Sequence, residues 1–578
     1  MNYLESYKQW LNSEYVDEQT KEELRQIEKD KKEIEERFYT NLEFGTGGLR
    51  GIIGAGTNRM NIYTVRKATQ GLAEYICRHG EEAKKRGVVI AYDSRYKSPE
   101  FAMQAARVLA ANGVKAYVFD ELRPTPELSF AVRELKAIAG IVITASHNPA
   151  KYNGYKAYWE DGGQLPPHSA NAVLEIMNQT DIFTGVKIMD ENEAKKQGLI
   201  HIIGEEVDSR YLEEVHKQSI NPDVVKAVAD NFKIIYTPFH GAGNKPVRRI
   251  LNMLGLKNLI VVKEQEQPDP AFSTVKSPNP EEKEGFTIAI EMAKKENVDL
   301  IIGTDPDCDR VGVVVRNMEG DYVTLSGNQV GVLLTEYILS QKKAKGSLPS
   351  NGVVIKTIVT TEMARAVAQH YNIDVIEVLT GFKFIGEKIK EFEESGNSKQ
   401  YIFGFEESYG YLAGTYARDK DAVVASMLIA EMAAWYKSRN MSLYEGMQEL
   451  YKKYGVYIEY LKSITLEGKQ GTEKIQAIME KLRKDTPTEI NGVRIIALRD
   501  YNVGKRFDFI DNTERDIDLP KSNVLYFELE DQSWFVVRPS GTEPKIKIYF
   551  SVVGNTLQAA EQKMTLFKKE VIDRIIGD

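Results

Sequence analysis

Apolar runs of strand length, set apart by stretches of helical periodicity, recur between residues 88 and 404. No other feature constrains the fold of this chain so tightly. Val88–Tyr92, Lys115–Phe119 and Gly140–Thr144 read as strands of a first set, with a helix over Pro99–Asn112. Lys233–Tyr236, Leu259–Val262 and Asp299–Gly303 make a second, with a helix over Lys245–Leu254. Val311–Val315 follows closely enough to close a hairpin with its predecessor. Val353–Thr357, Asp374–Val378 and Tyr401–Gly404 make a third. Continuous apolar strands alternating with helices predict crossover connections and largely parallel sheets. The last unit has another texture. Val524–Leu529, Ser533–Val537 and Lys545–Val552 read as antiparallel strands ahead of a helix over Thr556–Ile576, an α+β pattern.

The chain has 578 residues, too many for one core, which stops growing near ~250–300 residues. The texture predicts a helical leader over 1–40, built of one or two exposed helices. It predicts α/β domains over 41–200, 201–320 and 321–455, a connecting segment over 456–494 and an α+β domain over 495–578. Gln267–Pro280, rich in Pro, reads as a long ordered loop. Apolar residues are 42% and charged residues 28%, which suits a soluble globular chain and excludes bulk disorder. Set against 84 acidic residues, 76 basic ones leave a net charge of −8. That balance argues against a nucleic-acid partner but leaves room for a local cationic pocket. Cys77 and Cys308 cannot make a disulfide framework, which suits a reducing compartment. The N-terminus lacks the apolar core of a secretory signal. Ile138–Ala145, among the longest apolar stretches, falls short of the ~20 residues of a membrane span. A cytoplasmic protein with no membrane partner is expected.

Four loops carry candidate chemistry. Thr144-Ala145-Ser146-His147-Asn148-Pro149 follows a buried strand, and ligand sites in α/β sheets lie beyond the carboxyl ends of strands. Ser146 presents a hydroxyl there, although an Asn-Pro turn chosen for backbone reasons explains the same residues. His147 taken alone reads as structural. Asp305-Pro306-Asp307-Cys308-Asp309-Arg310 follows another apolar strand. Its three carboxylates repel one another unless a cation sits among them, and oxygen-only ligands select a hard ion such as Mg²⁺. Arg310 can pair with a carboxylate or a phosphate. Gly404-Phe405-Glu406-Glu407-Ser408-Tyr409-Gly410 offers acceptors for sugar hydroxyls, or is simply a solvated acidic turn. Arg538-Pro539-Ser540-Gly541-Thr542-Glu543-Pro544-Lys545 combines a guanidinium, hydroxyls and a Gly that frees backbone N–H groups, as a phosphate cradle does. A tight Pro/Gly hairpin would look the same. Gly241-Ala242-Gly243 lacks the third glycine of a dinucleotide fingerprint and reads as a turn.

Taken together and in this order, the four loops resemble the α-D-phosphohexomutase superfamily, in its phosphoglucomutase/phosphomannomutase group, from about Phe44 to about Phe550. The resemblance implies four domains around a central cleft, three of them α/β with mixed sheets and the last α+β. It implies an intramolecular phosphotransferase that interconverts glucose 1-phosphate and glucose 6-phosphate. Ser146 would be the phosphorylated serine and Asp305, Asp307 and Asp309 would bind Mg²⁺ together with a phosphoserine oxygen. Arg50, Lys156 and His147 would join Ser146 in catalysis. Arg310, Gly381, Lys383, Glu406, Ser408, Arg538, Ser540, Gly541 and Thr542 would bind substrate. The implied cofactors are Mg²⁺ and glucose 1,6-bisphosphate, as activator and intermediate. The implied partner is a sugar phosphate, with the chain a monomer or a dimer.

Tyr409-Gly410-Tyr411 stands where many bacterial members have Gly-His, so no histidine role transfers to that loop. Lys156 could relay a proton if burial and neighbouring cations lower its pKa. Phosphomannomutase and phosphopentomutase activities stay open. So do two rivals outside the family's chemistry, a Mg²⁺-dependent nucleotide-sugar glycosyltransferase built on Asp305-Pro306-Asp307 and a non-catalytic sugar-phosphate sensor.

Overall fold

The computed structural model describes residues 2–45, 48–396, 398–466, 468–540 and 545–576. Its strands form four sheets in chain order. The first holds β1 (Gly48–Ile52), β2 (Val88–Tyr92), β3 (Ala116–Phe119), β4 (Ala139–Ile143), β5 (Tyr152–Trp159) and β6 (Ile200–Ile203), ordered β1-β5-β4-β2-β3-β6. Strands β4, β2, β3 and β6 run parallel, and β5 and β1 add an antiparallel edge. The second sheet holds β7 (Lys233–Thr237), β8 (Asn258–Val261), β9 (Leu300–Thr304), β10 (Val311–Arg316) and β11 (Tyr322–Leu325), ordered β11-β10-β9-β7-β8. The third holds β12 (Gly352–Thr357), β13 (Asp374–Val378), β14 (Gln400–Glu406) and β15 (Gly410–Ala413), ordered β13-β12-β14-β15.

One plan underlies all three. A parallel centre, buried on both faces as its apolar runs require, ends in an antiparallel hairpin. That hairpin is β4–β5 in the first sheet, β9–β10 in the second and β14–β15 in the third. The crossover helices cover the faces. Ile62–Cys77, opened by an Asn61/Thr64 capping box, packs on Ser98–Ala111 and Pro167–Gln179. Ala422–Ser438 is buried almost all round, because it packs against helices and strands of both the second and third sheets. Asp421 caps its N-terminus and also accepts the Tyr211 hydroxyl at 2.9 Å.

The fourth sheet is antiparallel and holds β16 (Val456–Thr465), β17 (Glu489–Ile490), β18 (Val493–Asp500), β19 (Lys505–Asp508), β20 (Thr513–Asp516), β21 (Leu525–Leu529), β22 (Trp534–Pro539) and β23 (Lys545–Gly554). The stretch 456–494, expected as a connecting segment, therefore contains an edge strand of this sheet. All ten residues of β16 pair with β23. Its stretch Tyr460–Ser463 is exposed, and Glu459, Lys462 and Ser463 interrupt its apolar residues, so it lacks the continuous apolar run that would mark a buried strand. Among the described residues, no helix is long and apolar enough to cross a membrane.

The leader also departs from expectation. It forms three helices, α1 (Tyr3–Asn12), α2 (Glu18–Gln26) and α3 (Lys31–Phe38), each opened by an Asn or Asp side-chain cap. They are docked, not free. Tyr7, Trp10, Leu24, Ile34 and Phe38 form a core with Ala55 and Tyr63 of the first domain. The Tyr63 hydroxyl donates to Asp17 Oδ2 at 2.7 Å, and Asn58 N–H donates to the Arg37 carbonyl at 2.9 Å. The apolar stripe Tyr7–Trp10 and Ile34–Phe38 has helical spacing, but the surrounding Glu and Lys dilute it.

Candidate active site

Each of the three hairpins turns through a left-handed residue that is not glycine. These are Ser146 (φ 51°), Cys308 (φ 52°) and Tyr409 (φ 63°). Such a backbone costs a side-chain-bearing residue roughly 1–2 kcal/mol, so it persists where the surroundings fix it. They do so here by joining the hairpins to one another. Arg310 Nε donates to the Ser408 carbonyl at 3.1 Å, and Arg310 Nη1 donates to Ser146 Oγ at 3.1 Å. Val311 N–H donates to the Tyr409 carbonyl and Thr125 N–H to the Asp307 carbonyl. Gly241 sits against the metal-loop backbone, where a Cβ would lie 2.5 Å from Pro306 Cα. The turn expected at Gly241–Gly243 is thus a close approach of two backbones.

Ser146 is 2% exposed, and its Oγ donates to Asp305 Oδ2 at 2.7 Å. Its loop is held by buried Arg95, whose guanidinium donates to the carbonyls of Ser146, Asn148, Pro149 and Tyr152. Arg95 is itself paired with Asp93, 3.2 Å away, and Asp93 accepts the Thr144 hydroxyl at 2.6 Å. His147 Nδ1 accepts from Arg310 and lies 3.3 Å from Ser146 Oγ. Burial, then Arg310 and Arg50, push its pKa well below the usual imidazole value. The ring is neutral and braces Arg310.

Asp305, Asp307 and Asp309 are buried, with one oxygen from each within 4.8 Å of the others. Asp305 Oδ1 accepts the main-chain N–H groups of Asp309 (3.1 Å) and Arg310 (2.9 Å). Asp307 Oδ2 accepts Lys156 Nζ at 2.7 Å and the Thr125 hydroxyl at 2.9 Å. Asp309 Oδ2 faces Lys420 Nζ at 3.1 Å and Lys156 Nζ at 3.4 Å. Burial, then Asp307 and Asp309, push the Asp305 carboxyl well above its ordinary range. Asp307 Oδ1 and Asp309 Oδ1 are buried and, among the described residues, accept no hydrogen bond. Buried polar atoms left open call for an explanation. Three converging carboxylates with oxygens to spare can hold a metal ion, and the all-oxygen donor set suits a hard divalent one. Burial alone would lower Lys156, but Asp307 and Asp309 outweigh it and raise its pKa. The lowering that a proton-relay role would need is therefore reversed.

On the third hairpin, Glu406 Oε1 accepts the Gly381 N–H at 2.8 Å. This joins the two loops singled out for the sugar. Gly381 stands at φ 121°, a conformation that favours glycine. Burial raises the Glu406 carboxyl to about 7, against the pull of Lys420 and Arg310. Ser408 contributes its carbonyl to Arg310, and Lys383 Nζ lies 5.0 Å from the Phe384 ring centroid. From the fourth domain, Arg538 on β22 pairs across the ladder with Lys547 on β23. Burial, then Arg538, lowers the Lys547 pKa, while Glu407 and Glu281 pull the other way. The fourth domain thus turns cations toward Glu281 of the second domain and Glu407 of the third. Ser540 N–H donates to the Lys545 carbonyl at 2.8 Å, and Gly541 and Thr542 lie outside the described residues. Arg50, opposite Gly154 on β5, is close enough to act on the charges of Arg95 and His147.

Sequence reasoning missed Asp93, Arg95, Lys420, Glu281 and Lys547. Asp93-Ser94-Arg95 sits directly past the carboxyl end of β2, so the rule that located Ser146 applied there too. Arg418-Asp419-Lys420-Asp421, four charges ahead of a largely apolar helix, was a comparable signal.

Four domains of the phosphoglucomutase/phosphomannomutase family match the chain: alpha/beta/alpha domain I over residues 41–182, domain II over 209–320, domain III over 326–454 and the C-terminal domain over 515–569. A phosphoglucomutase of Staphylococcus epidermidis is 38% identical over 566 residues, 97% of this chain and 98% of that one. A phosphoglucomutase of Staphylococcus aureus is 38% identical over 536 residues, 92% and 94% of the two chains. Among solved structures, the Paramecium phosphoglucomutase pp63/parafusin superposes with a TM-score of 0.69 at 18% identity, covering 93% of this chain and 97% of that one. A phosphoglucomutase/phosphomannomutase family protein of Burkholderia thailandensis gives a TM-score of 0.64 at 18% identity, covering 92% and 98%. Matched domain by domain and along nearly its whole length, the chain belongs to the phosphoglucomutase/phosphomannomutase family.

Proposed function

We propose that this chain is a phosphohexomutase that interconverts glucose 1-phosphate and glucose 6-phosphate through a phosphoserine at Ser146 and a glucose 1,6-bisphosphate intermediate. The observation that carries the reading is the position of Ser146 Oγ, 2.7 Å from Asp305 and 3.1 Å from Arg310. A nucleophile meets there a carboxylate cluster and a guanidinium contributed by another domain. The relatives' activity decides the sugar in favour of glucose.

The phosphoryl group on Ser146 passes to O6 of glucose 1-phosphate. The P–Oγ bond breaks, the P–O6 bond forms, and the proton given up by O6 is passed on to Oγ, which is left as a hydroxyl. The bisphosphate turns end for end. Ser146 Oγ then attacks the C1 phosphate, the P–O1 bond breaks, the proton given up by Oγ is passed on to O1, and glucose 6-phosphate departs with Ser146 phosphorylated again. Such transfers ask chiefly for alignment and neutralised charge. Asp305, Asp307 and Asp309 would hold Mg²⁺ together with a phosphoserine oxygen, and the ion would supply positive charge beside the transferring group. Arg310, braced by His147, adds a guanidinium, and Arg50 adds a second. Lys156, kept protonated by Asp307 and Asp309, adds a fixed positive charge beside the carboxylates. Glu406 and Ser408 hold sugar hydroxyls, with Gly381 and Lys383 closing over them. Arg538, Ser540, Gly541 and Thr542, backed by Lys547, hold the phosphate that is not reacting. One grip serves both orientations because the two phosphates present the same oxygens.

The test is an assay of the purified chain on the 1-phosphates of glucose, mannose, glucosamine and ribose. The glucose ester is expected to have the highest kcat/KM, and a faster mannose or ribose ester would move the activity elsewhere in the family. Intact mass should show a form heavier by about 80 Da, one phosphoryl group. Turnover without that form in any preparation would overturn the phosphoserine route.

A further inference from the structure

A cavity of about 750 Å³ opens on the side of the third domain away from the reacting serine. It lies within the ~300–1,000 Å³ range of small-molecule sites. Lys217, Lys342, Lys345 and Lys399 line it, while its one acidic lining residue, Glu393, is already paired with Arg418 and Arg133. Lys217, Lys345 and Lys399 rest on Glu214, the Ile220 carbonyl and Asp374. Exposed pairs of that kind contribute little and exchange readily. Lys342 is different. It is half-buried, and among the described residues its Nζ has no hydrogen-bond or ion-pair partner. The floor is apolar, built by Ile338, Ile389, Phe392 and Leu428.

The cavity shares its walls with the active site but not its atoms. Its lining takes the start of β14 at Gln400–Ile402, and Glu406 ends the same strand. It takes the last turns of the helix Phe382–Glu394, whose first residues adjoin Gly381. Along β14 the two places are separated by roughly 17 Å, five residues at the rise of a strand.

We propose that this cavity is a second anion site, which takes a nucleoside di- or triphosphate with its phosphates on the lysine rim and its base on the apolar floor. Four ammonium groups around one opening match a ligand of two or more negative charges. The floor asks for a flat or apolar body that a sugar phosphate lacks. The assignment is independent of the sugar specificity of the cleft.

Isothermal titration of the full chain with ADP tests it, in EDTA and with saturating glucose 1-phosphate in the cleft. ADP should still bind, and Lys342→Glu combined with Lys345→Glu should weaken it by roughly tenfold, the loss of about one charge-assisted contact. The same variant should keep the basal kcat/KM on glucose 1-phosphate. Inorganic pyrophosphate should bind several-fold more weakly than ADP. Displacement of ADP by glucose 1-phosphate, equal binding to the double variant, or no binding at millimolar ADP would each overturn the site. Equal affinity for pyrophosphate would overturn the nucleoside part. If circular dichroism shows the double variant misfolded, Lys342→Met keeps the packed stem and carries the same expectation.

Discussion

The hairpin that carries Asp305, Asp307 and Asp309 and the hairpin that carries Glu406 close equivalent corners of their sheets. Both turn on a left-handed residue, Cys308 in one and Tyr409 in the other. Their electrostatics diverge. Lys156 and Lys420 press on the first, and Asp307 and Asp309 stay ionised beside them although buried. Glu406 has one backbone donor, Gly381, and burial wins over the more distant cations, so its carboxyl rises to about 7. The two corners show topology fixing where a carboxylate goes, and the cations facing it fixing whether it stays charged. A permanently anionic corner suits a metal ion. A corner that titrates near neutrality suits hydroxyl groups, which both donate and accept.

The Ser146 hairpin is the third member of the set, and removing its hydroxyl should have the largest effect. Ser146→Ala should lower turnover by at least about a thousandfold, as loss of a nucleophile does, and abolish the phosphorylated mass while sugar phosphate still binds. Full activity in that variant would break the comparison at its root. Asp307→Asn leaves Lys156 without its closest carboxylate and should cost roughly a hundredfold in kcat, with a weakened Mg²⁺ titration. An unchanged titration would mean that the metal, and the distinction between the two corners, lies elsewhere.

Glu406→Gln sharpens the contrast through pH. A carboxyl raised from 4.5 to about 7 contributes stability that is fully present below pH 4.5 and is lost as pH rises through 7. The variant, free of that ionisation, should therefore gain about 3 kcal/mol over the parent by pH 8 and nothing below pH 4.5. Denaturant melts at the two pH values check the sign, and parallel curves would contradict it. The same change should raise KM roughly tenfold, the worth of hydrogen bonds to a charged acceptor. Cys308→Ala should have the smallest effect, turnover within about twofold and a stability loss of roughly 1 kcal/mol. Cys308 is buried and its thiol pKa is raised, so it packs and does not react.

The sequence carried the parallel centres of the three α/β sheets plainly, because strands buried on both faces have to be apolar throughout. Val88–Tyr92 coincides with β2 and Val353–Thr357 falls within β12, both of them central strands. It carried β16 poorly, because an edge strand open to solvent tolerates Glu459, Lys462 and Ser463 among its apolar residues. It carried the leader's helices but not their docking, which depends on Trp10 and Phe38 meeting Tyr63 and on nothing local. Ser146, the three aspartates and Glu406 were visible as chemistry past strand ends. Arg95 and Lys420 were not, because a supporting cation is defined by partners 51 and 111 residues away along the chain, and spacing is silent about those.

Arg310 spans three walls, reaching Ser408 on one side and Ser146 on the other. Ser146 Oγ cannot carry a phosphoryl group and still give its hydrogen to Asp305, so charging the serine must loosen that tie and draw the guanidinium toward new oxygens. The strap between the loops is therefore also a gauge. Whether the serine is loaded is conveyed through one side chain to the place where the sugar is held.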